Sequence, residues 1–315
     1  MKQKHTVERK SDDAVSNVVV MMLILSVIVI AFSVFVGIYL PQMKETSEMM
    51  HSEDVKSAFL QFSSDMDSVY SRGQDGTYSE VFTLGGGEIL LSSSKSAGTV
   101  EIQTIPLNET SPETLKIYYT NKTLMYRNGT REETAVSTEQ RCETVNLTAV
   151  NLSYTPVLPY WEEQGYLYEK GVVWVQKDEL YTPVSTALYS AADGYNQMNL
   201  TADSWILMMK PAYLTANTSF TVTKDSGGNV TDISENTQYI YTMTLVNVSA
   251  DDSKHYLSGS GDAKLKISAN VLPEITEYEL TDTPLELNGE ILSLTKGNLP
   301  SLLRVTGIEA KVSVE

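Results

Sequence analysis

The chain is poor in cysteine and histidine, and it lacks the basic residues to balance its acids. Its one cysteine, Cys142, excludes an intramolecular disulfide framework and any cysteine-based zinc site. Flanked by Arg141 and Glu143 and far in sequence from any histidine, that thiol has no nearby partner to activate it. The three histidines, His5, His51 and His255, lie too far apart to form a metal motif, and no cofactor is implied. With 23 Lys and Arg against 40 Asp and Glu, the net charge of -17 excludes a partner held by phosphate neutralisation, so nucleic acid is not expected. A nucleophile elbow, a phosphate loop, a His-Glu-x-x-His helix and an EF-hand loop are all missing, and no enzyme is expected. Gly85-Gly86-Gly87 is followed by neither Lys-Ser/Thr nor a helical pattern, which makes it a turn or bulge rather than a phosphate cradle.

Charge is also absent over one long stretch. No charged residue lies between Asp13 and Lys44, and residues 15–40 are almost wholly apolar. At ~1.5 Å per residue this run spans about 39 Å, more than the ~30 Å hydrocarbon core of a bilayer. A single transmembrane helix is expected there, after a leader of residues 1–14. Lys2, Lys4, Arg9 and Lys10 precede the span, while Glu45, Glu48, Glu53 and Asp54 outnumber Lys44 and Lys56 after it. The charge bias places the N-terminus in the cytoplasm and the C-terminal bulk outside the cell membrane. A cleaved secretory signal is the competing expectation, but the run is about twice the usual length and no small-x-small site closes it. Ser33 and Gly37 place two small residues four apart, where another helix can approach.

Apolar residues then recur at Val55, Phe59, Phe62, Met66 and Val69, the 4-3-4-3 spacing of an amphipathic helix. A helical stem is expected over residues 41–72, ending at Arg72-Gly73. Its stripe is expected to pack on the rest of the chain rather than in a coiled coil, since two heptads are too few. From residue 73 on, runs rich in Val, Ile, Thr and Tyr alternate with Gly, Asn, Asp and Pro clusters, an all-β texture. The fold class expected is mainly β: a transmembrane and stem α-helix followed by a β-sandwich-like head. The head reads as one large sandwich or as two lobes, 73–190 and 191–315, divided near Ser190–Gly194. Hairpins are expected at 117–126, turning at 120–123, and at 166–175, turning at 169–171.

Nine of the 15 asparagines head an Asn-x-Ser/Thr sequon: Asn108, Asn121, Asn128, Asn146, Asn151, Asn199, Asn217, Asn229 and Asn247. Ser and Thr make up 65 of 315 residues, so chance supplies roughly three. The excess points to N-glycosylation, and all nine lie beyond the span, in agreement with the charge bias. Other candidates are weaker. Adjacent Glu162 and Glu163 point to opposite faces of a strand and do not converge on one bond. The aromatics Tyr160, Trp161, Tyr166, Tyr168 and Trp174 fit a sheet core better than a sugar platform. Asp225, Asn229, Asp232, Asp251 and Asp252 lack the glycine-punctuated ligand series of a calcium loop.

A basic leader, Asp12-Asp13-Ala14, then Val15-Ser16-Asn17-Val18-Val19-Val20 and a long apolar helix resemble the amino terminus of archaeal type IV pilins and pilin-like envelope proteins. Leu84-Gly85-Gly86-Gly87, Ser92–Thr99 and Tyr166–Val173 look like segments of the β-rich ectodomains of that group, so the resemblance covers residues 12–176. It implies cleavage between Ala14 and Val15 by a prepilin peptidase, and self-association or assembly with other pilin-like subunits through the helix. Asn17 and Val20 depart from the family's usual start, which has Pro or Glu at the third place and glycine at the sixth. The expected function is structural or adhesive at an archaeal cell surface. The alternative is a signal-anchored ectodomain that binds a solute or glycan.

Overall fold

The computed structural model describes residues 10–87, 89, 95–107, 115–126, 129–145, 147–159, 161–169, 171–185, 213–287, 290–292 and 301–315. Helix runs without a break from Lys10 to Arg72, as α1 (Lys10–Val34), a π-helical turn (Phe35–Tyr39) and α2 (Leu40–Arg72). Its length is about 95 Å at ~1.5 Å per residue. Side chains from Asn17 to Val34 are uniformly exposed, the condition of a helix built for lipid rather than for a protein core. Within this stretch Ser26 Oγ donates to Met22 O and Ser33 Oγ to Val29 O, each at 2.7 Å, so neither hydroxyl stays unpaired in an apolar medium. Among the described residues there is thus one helix long and apolar enough to cross a membrane.

The π turn has a local cause. Pro41 lacks the N–H that would bond to Gly37 O, and its ring crowds that carbonyl. The ladder widens just before it, and Leu40 N–H bonds to Phe35 O, five residues back. At the other end Gly73 adopts φ 60° and its N–H bonds to Val69 O, closing α2 at the expected residue.

Fourteen strands follow among the described residues. They are β1 (Gly76–Thr83), β2 (Ala97–Leu107), β3 (Leu115–Tyr126), β4 (Arg131–Val145), β5 (Leu147–Val157), β6 (Gln164–Glu169), β7 (Val172–Lys177), β8 (Leu180–Pro183), β9 (Tyr213–Lys224), β10 (Val230–Ala250), β11 (Tyr256–Gly259), β12 (Asp262–Leu287), β13 (Glu290–Leu292) and β14 (Ser301–Val314). One sheet runs β4-β3-β12-β14-β10-β9, with β1 and β13 also pairing β12; the other runs β11-β2-β5-β6-β7-β8. β10 and β14 of the first sheet lie against β2 of the second, and β10 also meets β5. α2 closes the open side, touching β1 and β12 on one hand and β6 and β7 on the other. One continuous core results, from Val55 through Val314, and the mainly β class with a single long helix is what the sequence leads one to expect.

One expectation differs from the structure in an instructive way. Residues 120–123 do not turn; they continue β3, with Asn121 opposite Glu279 and Thr123 opposite Glu277 on β12. The chain takes up the polar Thr-Asn-Lys-Thr run by shifting register beside it instead of reversing. The hairpin at 166–175 forms as expected, from β6 and β7. The segment expected to divide two lobes, 190–194, lies outside the described residues. Strands from both sides of it share each sheet, β3 with β12 in one and β2 with β11 in the other.

Strand β12, at 26 residues, is several times the usual length. Pro273 cannot donate to the ladder, and the register with β14 shifts between Val271 and Ile275 around it. Gly307 on β14 makes room for the bulge, since a Cβ there would sit 2.7 Å from Leu272 Cδ1.

The direction of each strand orients the head along the helix. His51, early in α2, touches Thr83 at the end of β1, which pairs with Asp262 at the start of β12. Asp75, just past α2, accepts from Val271 N–H. β12 therefore starts beside the apolar end of the helix and runs away from it; β14 returns, and β10 lies parallel to β14. The β9–β10 turn accordingly sits at the end of the head farthest from the apolar helix.

Candidate functional site

The junction between α2 and the head holds the densest cluster of buried polar groups among the described residues. Positions 44, 48, 51, 55, 59, 62, 66 and 69 repeat at intervals of four or three, so they share one face of α2. The upper part, Val55 to Val69, is the expected apolar stripe, and every member is buried against the head. The lower part, Lys44, Glu48 and His51, is polar and just as buried, with Ser52 beside it.

Each buried group is held. Ser96 Oγ donates to the Glu48 carboxylate at 2.9 Å and accepts from Gly86 N–H at 2.9 Å. His51 Nε2 lies 2.7 Å from Thr83 O. A carbonyl only accepts, so Nε2 carries the proton, and Nδ1 faces Glu48 Oε1 at 3.8 Å. Tyr166 OH donates to Ser52 O at 2.9 Å and accepts from Ser52 Oγ and Gln164 Nε2. Tyr154 OH donates to Leu84 O at 2.9 Å. Burial and then the Glu48 charge push the Tyr154 phenol well above its ordinary value. Farther along, Phe59 meets Phe82 and Tyr166, and Phe62 stands edge-on to Tyr168 with centroids 5.1 Å apart.

The glycine triplet makes this contact feasible. A Cβ on Gly86 would fall 2.8 Å from His51 Cβ and 3.1 Å from Glu48 Oε2, and one on Gly85 would fall 1.9 Å from Ser96 O. Gly87 takes φ 75°. The loop is a close backbone approach to a helix, in agreement with the turn or bulge expected from sequence. Chemically the arrangement clamps rather than reacts. The Ser96 hydroxyl is directed at Glu48 instead of His51, and both are at most 4% exposed, so no base faces a reachable nucleophile.

The apolar periodicity that predicts the stem misses Lys44, Glu48 and His51 because it counts only apolar residues. The 4-3-4 spacing of polar residues running into Val55 is the signal that finds them.

The other expected site residues are placed as follows. Ala14 and Val15 lie within the backbone of α1. Ser33 and Gly37 are exposed, and a Cβ on Gly37 would meet nothing within 4 Å. Of the sequons, Asn108, Asn128, Asn146 and Asn199 lie outside the described residues. Asn121, Asn151, Asn217 and Asn247 lie within strands, and Asn229 lies at the exposed β9–β10 turn. Tyr166 and Tyr168 are core, as expected, while Tyr160 lies outside the described residues. Trp161 and Trp174 are half-buried, and Glu162 pairs with Lys177. Asp225 and Asp251 are occupied by their own turns: Asp225 accepts from Gly227 and Asn229 N–H, and Asp251 from Ser253. None of the family models, curated proteins or solved structures compared with the chain matches it.

Proposed function

We propose that the chain is a cell-surface structural or adhesive subunit of the archaeal type IV pilin-like kind. Its N-terminus is cytoplasmic, its helix is held in the membrane, and its β head stands outside. The observation that carries the proposal is the single unbroken helix: its first half is apolar and uncovered, and its second half is bound along one face into a β head. A helix of that kind can exchange lipid for neighbouring helices without disturbing the head, because the side chains from Asn17 to Val34 are exposed and the head packs on α2. The basic leader, the acids after the span and the confinement of all nine sequons beyond it support the orientation.

Self-association through the helix is tested with single cysteines in a Cys142→Ser chain expressed in its own membrane. Cysteine at Gly37 or Ser33 is expected to give oxidant-dependent dimers, whereas cysteine at Ala31, about 200° around the helix from Ser33, is expected to give far fewer. Equal or absent cross-linking at all three positions contradicts assembly through that face.

A further inference from the structure

At the far end of the head, β9 and β10 form a two-stranded arm. From Val230 to Gln238 β10 pairs with β9, and among the described residues no third strand flanks that stretch. Residues 218–235 are exposed throughout. The register separates two faces: Val222 pairs with Ile233, Phe220 with Glu235 and Lys224 with Val230, so Phe220, Val222, Val230 and Ile233 share one side. Ser219, Thr221, Thr223, Asp232 and Ser234 share the other.

The arm turns at Asp225–Asn229. Asp225 Oδ1 accepts the N–H groups of Gly227 and Asn229, Asp225 Oδ2 accepts from Asn229 Nδ2 at 3.2 Å, and Gly228 takes φ 84°. The side chains of Asp225 and Asn229 therefore meet on the polar side. Asn229 opens the sequon Asn229-Val230-Thr231, and both its amide and the Thr231 hydroxyl, which donates to Thr223 O, lie at the surface.

The sequons at Asn121 and Asn247 are engaged in the sheets. Asn121 Nδ2 donates to Glu279 Oε2, and its partner hydroxyl on Thr123 is buried between β4 and β12. Asn247 Oδ1 accepts from both the N–H and the Oγ of Thr148, tying β10 to β5. Asn151 lies in β5 opposite Gln103 of β2. Carbohydrate on Asn121 or Asn247 requires breaking a contact between neighbouring strands of the head, whereas the side-chain bond of Asn229 lies within its own exposed turn.

We infer that Asn229 is a sequon of the folded head that receives an N-linked oligosaccharide, at the membrane-distal tip and on the polar side of the arm. The donor is an oligosaccharide activated on a lipid-linked phosphate. The bond from its anomeric carbon to the phosphate oxygen breaks as the bond to Asn229 Nδ2 forms. The phosphate leaves with the electron pair, and one amide proton passes to a base of the transferase; the second can stay with Asp225. Placed there, the glycan covers the Thr- and Ser-rich side and leaves the side with Phe220, Val222, Val230 and Ile233 open. The inference rests on the head lying outside the membrane.

Glycopeptide mass spectrometry of the full chain purified from its own membranes tests it. The peptide carrying Asn229 is expected to bear a glycan, with those carrying Asn121 and Asn247 bare. Asn229→Gln and Thr231→Val should each remove one glycan mass, and Asn247→Gln none. An unmodified Asn229, or Asn121 and Asn247 modified to a similar extent, overturns the inference. Labelling of the exposed Cys142 on intact cells with a membrane-impermeant maleimide separates the causes. Label with a bare Asn229 defeats the site and leaves the outside head standing, whereas no label defeats both.

Discussion

Gly86 and Asp67 show how single positions govern the contact between helix and head. Gly86→Ala forces its new methyl into His51 and Glu48, and neither neighbour can retreat without breaking the bond to Thr83 or Ser96. A loss of roughly 1–3 kcal/mol is expected from such overpacking, read as a lower melting temperature of the purified chain in detergent. Asp67 works through charge. Its partial burial in α2 raises its carboxyl to about 6 from 3.8, so folding favours the protonated form. Its contribution is most favourable below pH ~4 and is lost as pH rises through about 6. Asp67→Asn should therefore stabilise the chain at pH 7.5, by about 1 kcal/mol once solvent screening is allowed for, and should make no difference at pH 4. Melting curves at the two pH values check this, and a stabilisation equal at both contradicts it.

At the scale of elements, the long helix depends on two features that sequence displays unequally. Its apolar stripe is plain in the spacing of Val55 to Val69, and Phe59 at its centre is fully buried. Phe59→Ala is expected to cost ~3–5 kcal/mol, measured by chemical denaturation of the head in detergent. The π turn before Pro41 is legible only through the missing N–H. Pro41→Ala should supply a donor for Gly37 O and restore regular helix, seen as a slowly exchanging amide at position 41; rapid exchange there contradicts the assignment of the turn to proline. Strand texture was legible through Val, Ile, Thr and Tyr, and the β6–β7 hairpin through Glu169-Lys170-Gly171. The run at 120–123 misleads because Asn and Thr also serve within a strand when a neighbouring strand supplies partners, as Glu279 does for Asn121. Pairings such as β3 with β12 join residues more than 150 apart, which no local pattern encodes. The buried polar trio of Lys44, Glu48 and His51 was hidden because hydrophobic periodicity overlooks polar residues that the fold later satisfies.

For the whole molecule, the acidity lies beyond the apolar run, which carries no charge from Val15 to Met43. One helix joins the apolar run to the head, and the head is clamped to it by the glycine loop on one side and by aromatic packing on the other. The β9–β10 arm lies at the opposite end of the head. The central claim is that the helix is an assembly element released from its leader, and the direct test is the N-terminal sequence of the mature protein from its own membranes. A start at Val15 is the predicted result. An intact N-terminus at Met1 contradicts it and leaves a plain membrane-anchored ectodomain.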